Sequence, residues 1–591
     1  MKFFYRSYHF YSFKSSLNSL IKYRSNHFQK STNSYYPKDL KNQKVIIKRL
    51  KSTSIASSSK DLLTDDTKSF QSSPQFFGQP LPTTHPHLLK PHQLTIGIDK
   101  DEYAQRRKKL MDRLEPGSAV IIAGARTKWM AHHVFYPFRQ LSDFWYLTGF
   151  QEPDSCLVLE KDNSQKGYTM TLFVRPKDPS TEMWEGARTG IEGVLGSFGA
   201  DQAFDISELA HRLRPLLTKP TDAPLYLDLP ADIQLLDLAQ STSSLPLMDF
   251  FSKSSSQYSD LVGSLTSSIR NSPFFKSDLE ACLAVLATTQ SNRSQRKTSR
   301  YRPIRSLQAK LDPIKMIKSN AELRLLRIAA DISAYGFKAA MQSAAQSTPW
   351  DVKSEHDLVQ VFETACHSHS PSHGGRMGYV PVCAAGHAAL TIHYTYNDRA
   401  LDPGRQMVLL DAGYEYAGYV ADITRTFPVG NGGQFSPAQK DLYEVVKGVE
   451  KHLIGLCQES SGESLRSLHH TSCSLLKDGL NDLGFNLRNF DDLQTLYPHY
   501  IGHPVGTDLH DTPTWNRSNT LKAGSVITIE PGIYVPDHDK YPSAFHGIGI
   551  RIEDMIHIRE KDSVILSCNT PKEVVDVEAC ASGFLNAIKK L

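Results

Sequence analysis

No run of about 18 consecutive apolar residues occurs anywhere in the 591 residues, so no segment reads as a membrane-spanning helix. No C-x-x-C pair occurs either. The eight cysteines, at 156, 282, 366, 383, 457, 473, 568 and 580, follow no framework spacing. That scatter excludes a thiolate zinc ribbon and a disulfide-stapled scaffold, and predicts reduced, mostly buried thiols in a reducing compartment. No repeat of about 20–50 residues is present, which argues against a solenoid. Acid is missing from the first 38 positions, where Lys2, Arg6, Lys14, Lys22, Arg24, Lys30 and Lys38 alternate with Ser and with Phe3, Phe4, Tyr8, Phe10 and Phe13. Polar residues interrupt every apolar stretch there, so the segment fits a mitochondrial import presequence rather than a secretory signal.

Residues 1–60 hold 13 Lys/Arg against the single acid Asp39, which leaves 54 basic and 61 acidic groups in the rest of the chain. The body is therefore mildly acidic, although the whole chain is +5. An acidic body does not attract polyanions, which excludes nucleic acid as a partner bound through counterion release. What remains, at 40% hydrophobic and 22% charged, has the profile of a globular protein long enough for two domains.

The Ser/Gln/Pro-rich stretch from Ser69 to Pro86 has no apolar period and is expected to be linker, with packed structure beginning near Asp99. Asp101 to Leu114 has helical spacing, and Ala119–Ala123, Cys156–Leu159 and Thr169–Val174 read as strands of a mixed α/β domain running to about residue 290. A Ser-rich stretch at 252–272 reads as a surface loop. Arg293 to Lys310 carries seven basic residues and no acid, and is expected to be a solvated connection. Ser319-Asn320-Ala321-Glu322 is a capping-box pattern followed by Leu325, Ile328, Ile332, Tyr335 and Ala339 at three- and four-residue steps. Ser436-Pro437-Ala438-Gln439 repeats the start signal ahead of Leu442, Val445, Val446, Val449, Leu453 and Leu456. A second domain, with helices alternating with strands, should open near residue 320.

Carboxylates stand on apolar strands in that second half. Met407 to Gly413 is an apolar strand ending at Asp411; Tyr419 to Phe427 is another with Asp422 inside it; Tyr416-Ala417-Gly418 reads as the turn between them. A reversal there would set the two acids nearly opposite, where like charges repel unless a cation intervenes. Ser525 to Ile529 runs into Glu530 and a Pro-Gly stop, and Ile548 to Asp554 alternates so that Arg551 and Glu553 share a face. Four acids on apolar strands are costly to bury singly, so a metal site is the economical reading. His499, His503 and His510 lie in or just after a Gly/Pro-rich loop, and His393 precedes Asp411. Oxygen-dominated coordination with one imidazole suits Mn²⁺ first, with Zn²⁺, Co²⁺ or Fe²⁺ as alternatives, and a charge of −4 matches two divalent ions.

These residues resemble the metallopeptidases of the aminopeptidase P and prolidase group, family M24, which share the pita-bread fold with methionine aminopeptidases. The resemblance runs from about Gly78 to the end of the chain. It implies an α/β (α+β) architecture: a creatinase-like front domain followed by a pita-bread metallopeptidase domain. It also implies five metal ligands, matched in order by Asp411, Asp422, His503, Glu530 and Glu553. Asp143 to Phe150 looks like the group's amino-terminal domain signature, and Trp184-Glu185-Gly186 like its substrate-shaping segment. The implied organisation is presequence and linker over 1–77, front domain over 78–292, basic linker over 293–318 and catalytic domain over 319–591.

The Gly78-Gln79-Pro80 opening and the basic presequence most resemble the mitochondrial branch, the fungal intermediate cleaving peptidases and related mitochondrial Xaa-Pro aminopeptidases. The resemblance implies a mitochondrial metallo-aminopeptidase, in the matrix or peripheral on the inner membrane. It would remove one amino-terminal residue from peptides or imported proteins by means of hydroxide bridging two metals. Xaa-Pro cleavage in general peptide turnover and a non-catalytic pita-bread binding protein remain the alternatives. In the catalytic reading Glu530 handles protons, His393, His499 and His510 line the pocket, and Arg551 orients Glu553. A homo-oligomer, dimer or tetramer, is implied as well.

Overall fold

The computed structural model describes residues 78–218, 221–227, 302–345, 352–371, 375–404 and 406–583. The presequence region 1–77, the Ser-rich stretch 252–272 and Cys282 lie outside them. Among the described residues, no helix is long and apolar enough to cross a membrane.

The front domain is built on a mixed six-stranded sheet. Its strands are β1 (Ala119–Ala123), β2 (Cys156–Lys161), β3 (Tyr168–Val174), β4 (Gln202–Asp205), β5 (Leu225–Leu227) and β6 (Ile304–Ser306), in the spatial order β6-β5-β1-β2-β3-β4. Every residue of β1 is buried, as a central strand covered on both faces requires. Helices α1 (Lys100–Asp112) and α2 (Ser142–Thr148) contribute to the larger apolar core, and α2 is buried at all seven positions.

Two boundaries differ from the sequence reading. Packed structure is already present at Gln79, well before Asp99. The Gln79 amide donates to Gly149 O (3.0 Å), its carbonyl accepts from Gln151 N (2.7 Å), and Leu81, Leu89 and Leu94 are buried. These apolar residues are too widely spaced to give a period, although Leu81 and Leu94 join the main core. The basic stretch expected as linker supplies β6, which pairs in parallel with β5, and helix α3 (Gln308–Lys315). Its positive charge did not keep it in solvent, because Arg302 donates to three backbone carbonyls (Gly117, Ala223, Pro224) and Lys315 is ion-paired.

The second domain opens with α4 (Asn320–Ala344), whose Ser319/Glu322 capping box is formed. The buried face of α4 keeps Leu325 and Ile332 of the expected stripe and widens to Leu326, Ala329, Phe337 and Met341, whereas Tyr335 is 40% exposed and stacks on His369. The next elements are α5 (Glu355–His369), β7 (Gly375–Met377), β8 (Val382–Ala385), β9 (Met407–Asp411), β10 (Tyr414–Tyr416), β11 (Tyr419–Val420) and β12 (Thr424–Pro428). Helix α6 (Pro437–Leu456) starts at the Ser436/Gln439 capping box with Pro at its first position. Helix α7 (Leu465–Asp482), a short helix at Phe490–Gln494, strands β13 (Val526–Ile529), β14 (Gly532–Tyr534), β15 (Gly549–Arg551), β16 (Asp554–Ile558) and β17 (Ser563–Ile565), and helix α8 (Val574–Ala581) follow among the described residues.

Four small antiparallel sheets result: β7-β10-β11, β8-β9-β12, β13-β16-β17 and β14-β15. Single bridges tie β12 to the β15–β16 connection, where Thr424 pairs with Glu553, and the His503 loop to β13, where Pro504 pairs with Ile527. The candidate site lies at those seams. Six of the seven described cysteines are buried free thiols and Cys568 is exposed, with no disulfide among them.

Candidate metal centre

The chain reverses at Ala417-Gly418, where both residues have positive φ (49° and 83°) and Tyr416 pairs with Tyr419, as a two-residue hairpin turn requires. The expected reversal is therefore present, but Asp411 faces Thr424 across the β9–β12 ladder rather than Asp422. Asp422 lies in the break between β11 and β12, so the long strand expected over 419–427 is two strands. The break lets the Asp422 side chain turn toward Asp411. Tyr379 Oη donates to Asp411 Oδ1 at 2.7 Å and to Asp422 Oδ1 at 3.0 Å. Gly413 allows the crossing: a Cβ there would lie 1.8 Å from Ala421 O.

His503 is presented by a loop pinned to β13. Its N–H bonds to Thr528 Oγ1 and it accepts Thr528 N–H at 2.8 Å, and at Gly502 a Cβ would lie 2.1 Å from Thr528 O. The Nδ1 of His503 lies 3.1 Å from Pro504 O, so Nδ1 carries the proton and Nε2 is left for a cation. That Nε2 stands 3.3 Å from Asp422 Oδ2 and 3.7 Å from Glu530 Oε1. Glu553 lies between β15 and β16, where Thr424 Oγ1 donates to its Oε2 at 2.6 Å.

The five residues matched by the resemblance thus come together. Asp422, His503 and Glu553 offer ligand atoms all within 4.8 Å of one another. Donors about 2.0–2.2 Å from one ion lie up to about 4.4 Å apart, so the trio fits a cation with slight tightening. Asp411 adjoins through Tyr379, and Glu530 through His503.

Electrostatics point the same way. Burial, followed by repulsion from Asp422, Glu530 and Asp411, pushes the Glu553 carboxyl well above its ordinary range. Burial raises Glu530 to about 7 against the pull of His503 and Arg551. Asp411 is raised by burial, opposed by Arg551 and reinforced by Asp422. His503 is raised to about 9 because Asp422 and Glu530 outweigh its burial. Crowded acids that resist ionising together are a donor set completed by divalent cations.

The flanking groups divide. Arg551 makes its charged contact to Asp411 Oδ2 (2.6 Å), not to Glu553, and also binds Tyr534 Oη (2.8 Å) and Thr424 Oγ1 (3.2 Å). Strand β15 ends at Arg551, so strict alternation does not carry through to Glu553. Burial and Arg551 lower His499 to about 3. Its Nε2 meets Tyr534 Oη at 2.9 Å, and its Nδ1 lies 3.8 Å from Glu530 Oε2. His510 packs edge-on against His503, ring centroids 4.3 Å apart, and its pKa is lowered by burial and then by His503. His393 is exposed, near enough to His499 and His510 for its charge to oppose theirs. Trp184 is 84% exposed on the short helix Pro179–Glu185 and touches none of this centre.

Tyr379, Tyr534 and Thr424 escaped the sequence reading. Tyr534 had a weak signal as the aromatic residue just after the Glu-Pro-Gly turn. Tyr379 had none, being 32 and 43 residues from the acids it bridges.

Comparison with known proteins gives two matching family descriptions: metallopeptidase family M24 over residues 324–560, and the aminopeptidase P N-terminal domain over 103–226. Intermediate cleaving peptidase 55 of Saccharomyces cerevisiae is 36% identical over 503 residues, spanning 85% of this chain and 88% of that one. Xaa-Pro aminopeptidase 3 of Mus musculus is 33% identical, spanning 86% and 91%. A mitochondrial intermediate cleaving peptidase 55 of Arabidopsis thaliana is 33% identical, spanning 85% and 87%. The crystal structure of the S. cerevisiae protein superposes with a TM-score of 0.65 at 32% identity, covering 83% of this chain and 99% of that one.

Proposed function

Since this chain belongs to metallopeptidase family M24, as a metallo-aminopeptidase with an aminopeptidase P N-terminal domain, we propose that it removes one amino-terminal residue from imported, presequence-cleaved mitochondrial proteins. The observation that carries this reading is the convergence of Asp411, Asp422, His503, Glu530 and Glu553 on one buried, over-acidic centre.

Those five side chains would hold two divalent cations, Mn²⁺ first. When bound, the cations would supply Lewis acidity toward the scissile carbonyl and make water nucleophilic near neutral pH. Glu530, besides holding a cation, would take the proton from the attacking water and return it to the departing amine. Arg551 holds Asp411 and Tyr534 in place, and Tyr379 keeps Asp411 and Asp422 together. His499, kept neutral by burial, is oriented by Tyr534. Its Nδ1 is bonded to Tyr500 O (2.8 Å) and its Nε2 to Tyr534 Oη, so it lines the approach, and His510 and His393 are left to donate to the developing oxyanion or the leaving nitrogen.

Mitochondrial residence is supported by the acid-free basic amino terminus and by the Arabidopsis relative's name. Cleavage of Xaa-Pro bonds is the second reading, favoured by the similarity to Xaa-Pro aminopeptidase 3. A homo-oligomer, dimer or tetramer, belongs to the proposal as well. Purified protein with Mn²⁺ should release the first residue from Tyr-Ser peptides, and chelator should stop it. Release from Xaa-Pro peptides alone would favour the second reading, and release from neither would sink both. Mass spectrometry of mitochondrial protein amino termini without this gene should find one-residue extensions.

A further inference from the structure

The loop that carries His503 and His510 is not held by its own domain alone. Asp143, on helix α2 of the front domain, accepts from Lys315 Nζ at 2.7 Å. The same ammonium lies 2.9 Å from Asp511 Oδ1, beside His510. Lys318 closes the group from the other side, 2.9 Å from Asp511 Oδ2, while donating to Lys315 O at 2.7 Å. All four side chains are more than nine-tenths buried, and their charges cancel.

Two further front-domain residues grip the same loop. Arg139 Nη2 donates to Thr507 O (2.7 Å), and Ser142 Oγ donates to Asp508 Oδ1 (2.5 Å). Asp511 N–H bonds to Pro504 O (2.9 Å), so what fixes Asp511 also fixes the segment next to His503. Gly506 leaves room for the ion pair: a Cβ there would lie 2.4 Å from Asp511 Oδ2 and 2.9 Å from Lys318 Nζ.

We propose that the front domain positions His503 and His510 through the chain Asp143–Lys315–Asp511, reinforced by Arg139 and Ser142, and so sets the turnover rate of the metal centre. The inference rests on the aminopeptidase reading for its kinetic consequence, though not for its structural one. Asp143, Lys315 and Asp511 are positioning residues. Unpairing buried Lys315 frees the loop to move, and small misplacements at a reacting centre are costly in rate.

The test uses the full-length chain carrying Asp143→Asn, Lys315→Met, Lys315→Arg or Ser142→Ala. Hydrogen exchange is followed over residues 503–511, and kcat and KM are measured separately with Mn²⁺ present. Asp143→Asn and Lys315→Met should speed exchange in that loop and lower kcat about 10- to 100-fold with KM nearly unchanged. Lys315→Arg, which keeps the charge, should recover part of the loss. Ser142→Ala removes one hydroxyl and decides the matter should the charge variants not fold: it should show the same changes, smaller in size. Folded variants with wild-type exchange in the loop and wild-type kcat overturn the proposal. A wild-type protein without peptidase activity sinks the functional reading instead, and the exchange measurement still tests the tether.

Discussion

Replacing Thr424 with Val should weaken metal binding 10- to 100-fold without unfolding the protein. Thr424 is fully buried on β12, opposite Asp411, and its hydroxyl serves two charged groups at once. It donates to Glu553 Oε2 at 2.6 Å and accepts from Arg551 Nε at 3.2 Å. Valine fills nearly the same volume, so no cavity forms and the change isolates the hydroxyl. A hydrogen bond to a charged group is worth about 1.5–3 kcal/mol. Its loss disfavours the ionised form of Glu553, already pressed toward the neutral acid by burial and by three neighbouring carboxylates. Because a cation binds only the ionised carboxylate, the same energy appears as lost affinity, and removal of such an outer partner costs about 10- to 100-fold. Calorimetric titration of metal-free protein with Mn²⁺ measures this, with circular dichroism confirming the fold. A folded variant binding Mn²⁺ within about twofold of wild type would refute the assignment of Glu553 as a ligand supported by Thr424.

Asp422→Ala should abolish peptidase activity and remove the rise in thermal midpoint that Mn²⁺ produces in the wild type; that rise corresponds to about 2.7 kcal/mol at a hundredfold excess over Kd, and scanning calorimetry with and without chelator reads it. Gly413→Ala should cost activity severely, because the new methyl falls on Ala421 O and wedges Asp411 from Asp422; peptide hydrolysis assays check this. Burial would raise the Asp511 carboxyl, but Lys315 and Lys318 outweigh it and hold it at about 2, below the unfolded value of about 3.9. The unfolded chain therefore takes up the proton first as pH falls. The stabilisation is full above about pH 4 and is lost toward pH 2, on the order of 2–3 kcal/mol. Urea unfolding across that range should show a shallower pH dependence in Asp511→Asn.

Much of the site was legible because its residues are local punctuation. Asp411 and Glu530 end apolar strands, the Ala417-Gly418 turn is a short-range signal, and the Gly/Pro-rich run around His503 cannot be helical. Capping boxes at Ser319 and Ser436 are equally local, and both are formed. Where the reading went astray, the deciding contact was distant. The local alternation pairs Arg551 with Glu553, two residues away, yet Arg551 turns to Asp411, 140 residues earlier, because β15 stops at Arg551. The basic stretch, whose charge suggests a linker, holds β6 because β5, almost 80 residues earlier, offers a free edge.

The amino-acid sequence by itself determined which side chains carry chemistry, where α4 and α6 begin, and that the amino terminus is basic while the body is acidic. Those properties follow from residue type and from spacings of a few positions, over which backbone geometry is predictable. Only the tertiary structure decided which acids share a cation-sized space, that Tyr379 and Thr424 hold them, and that the front domain grips the histidine loop. These are meetings of segments tens to hundreds of residues apart. No local period encodes them, and they exist only once burial has made each unpaired charge too costly to leave alone.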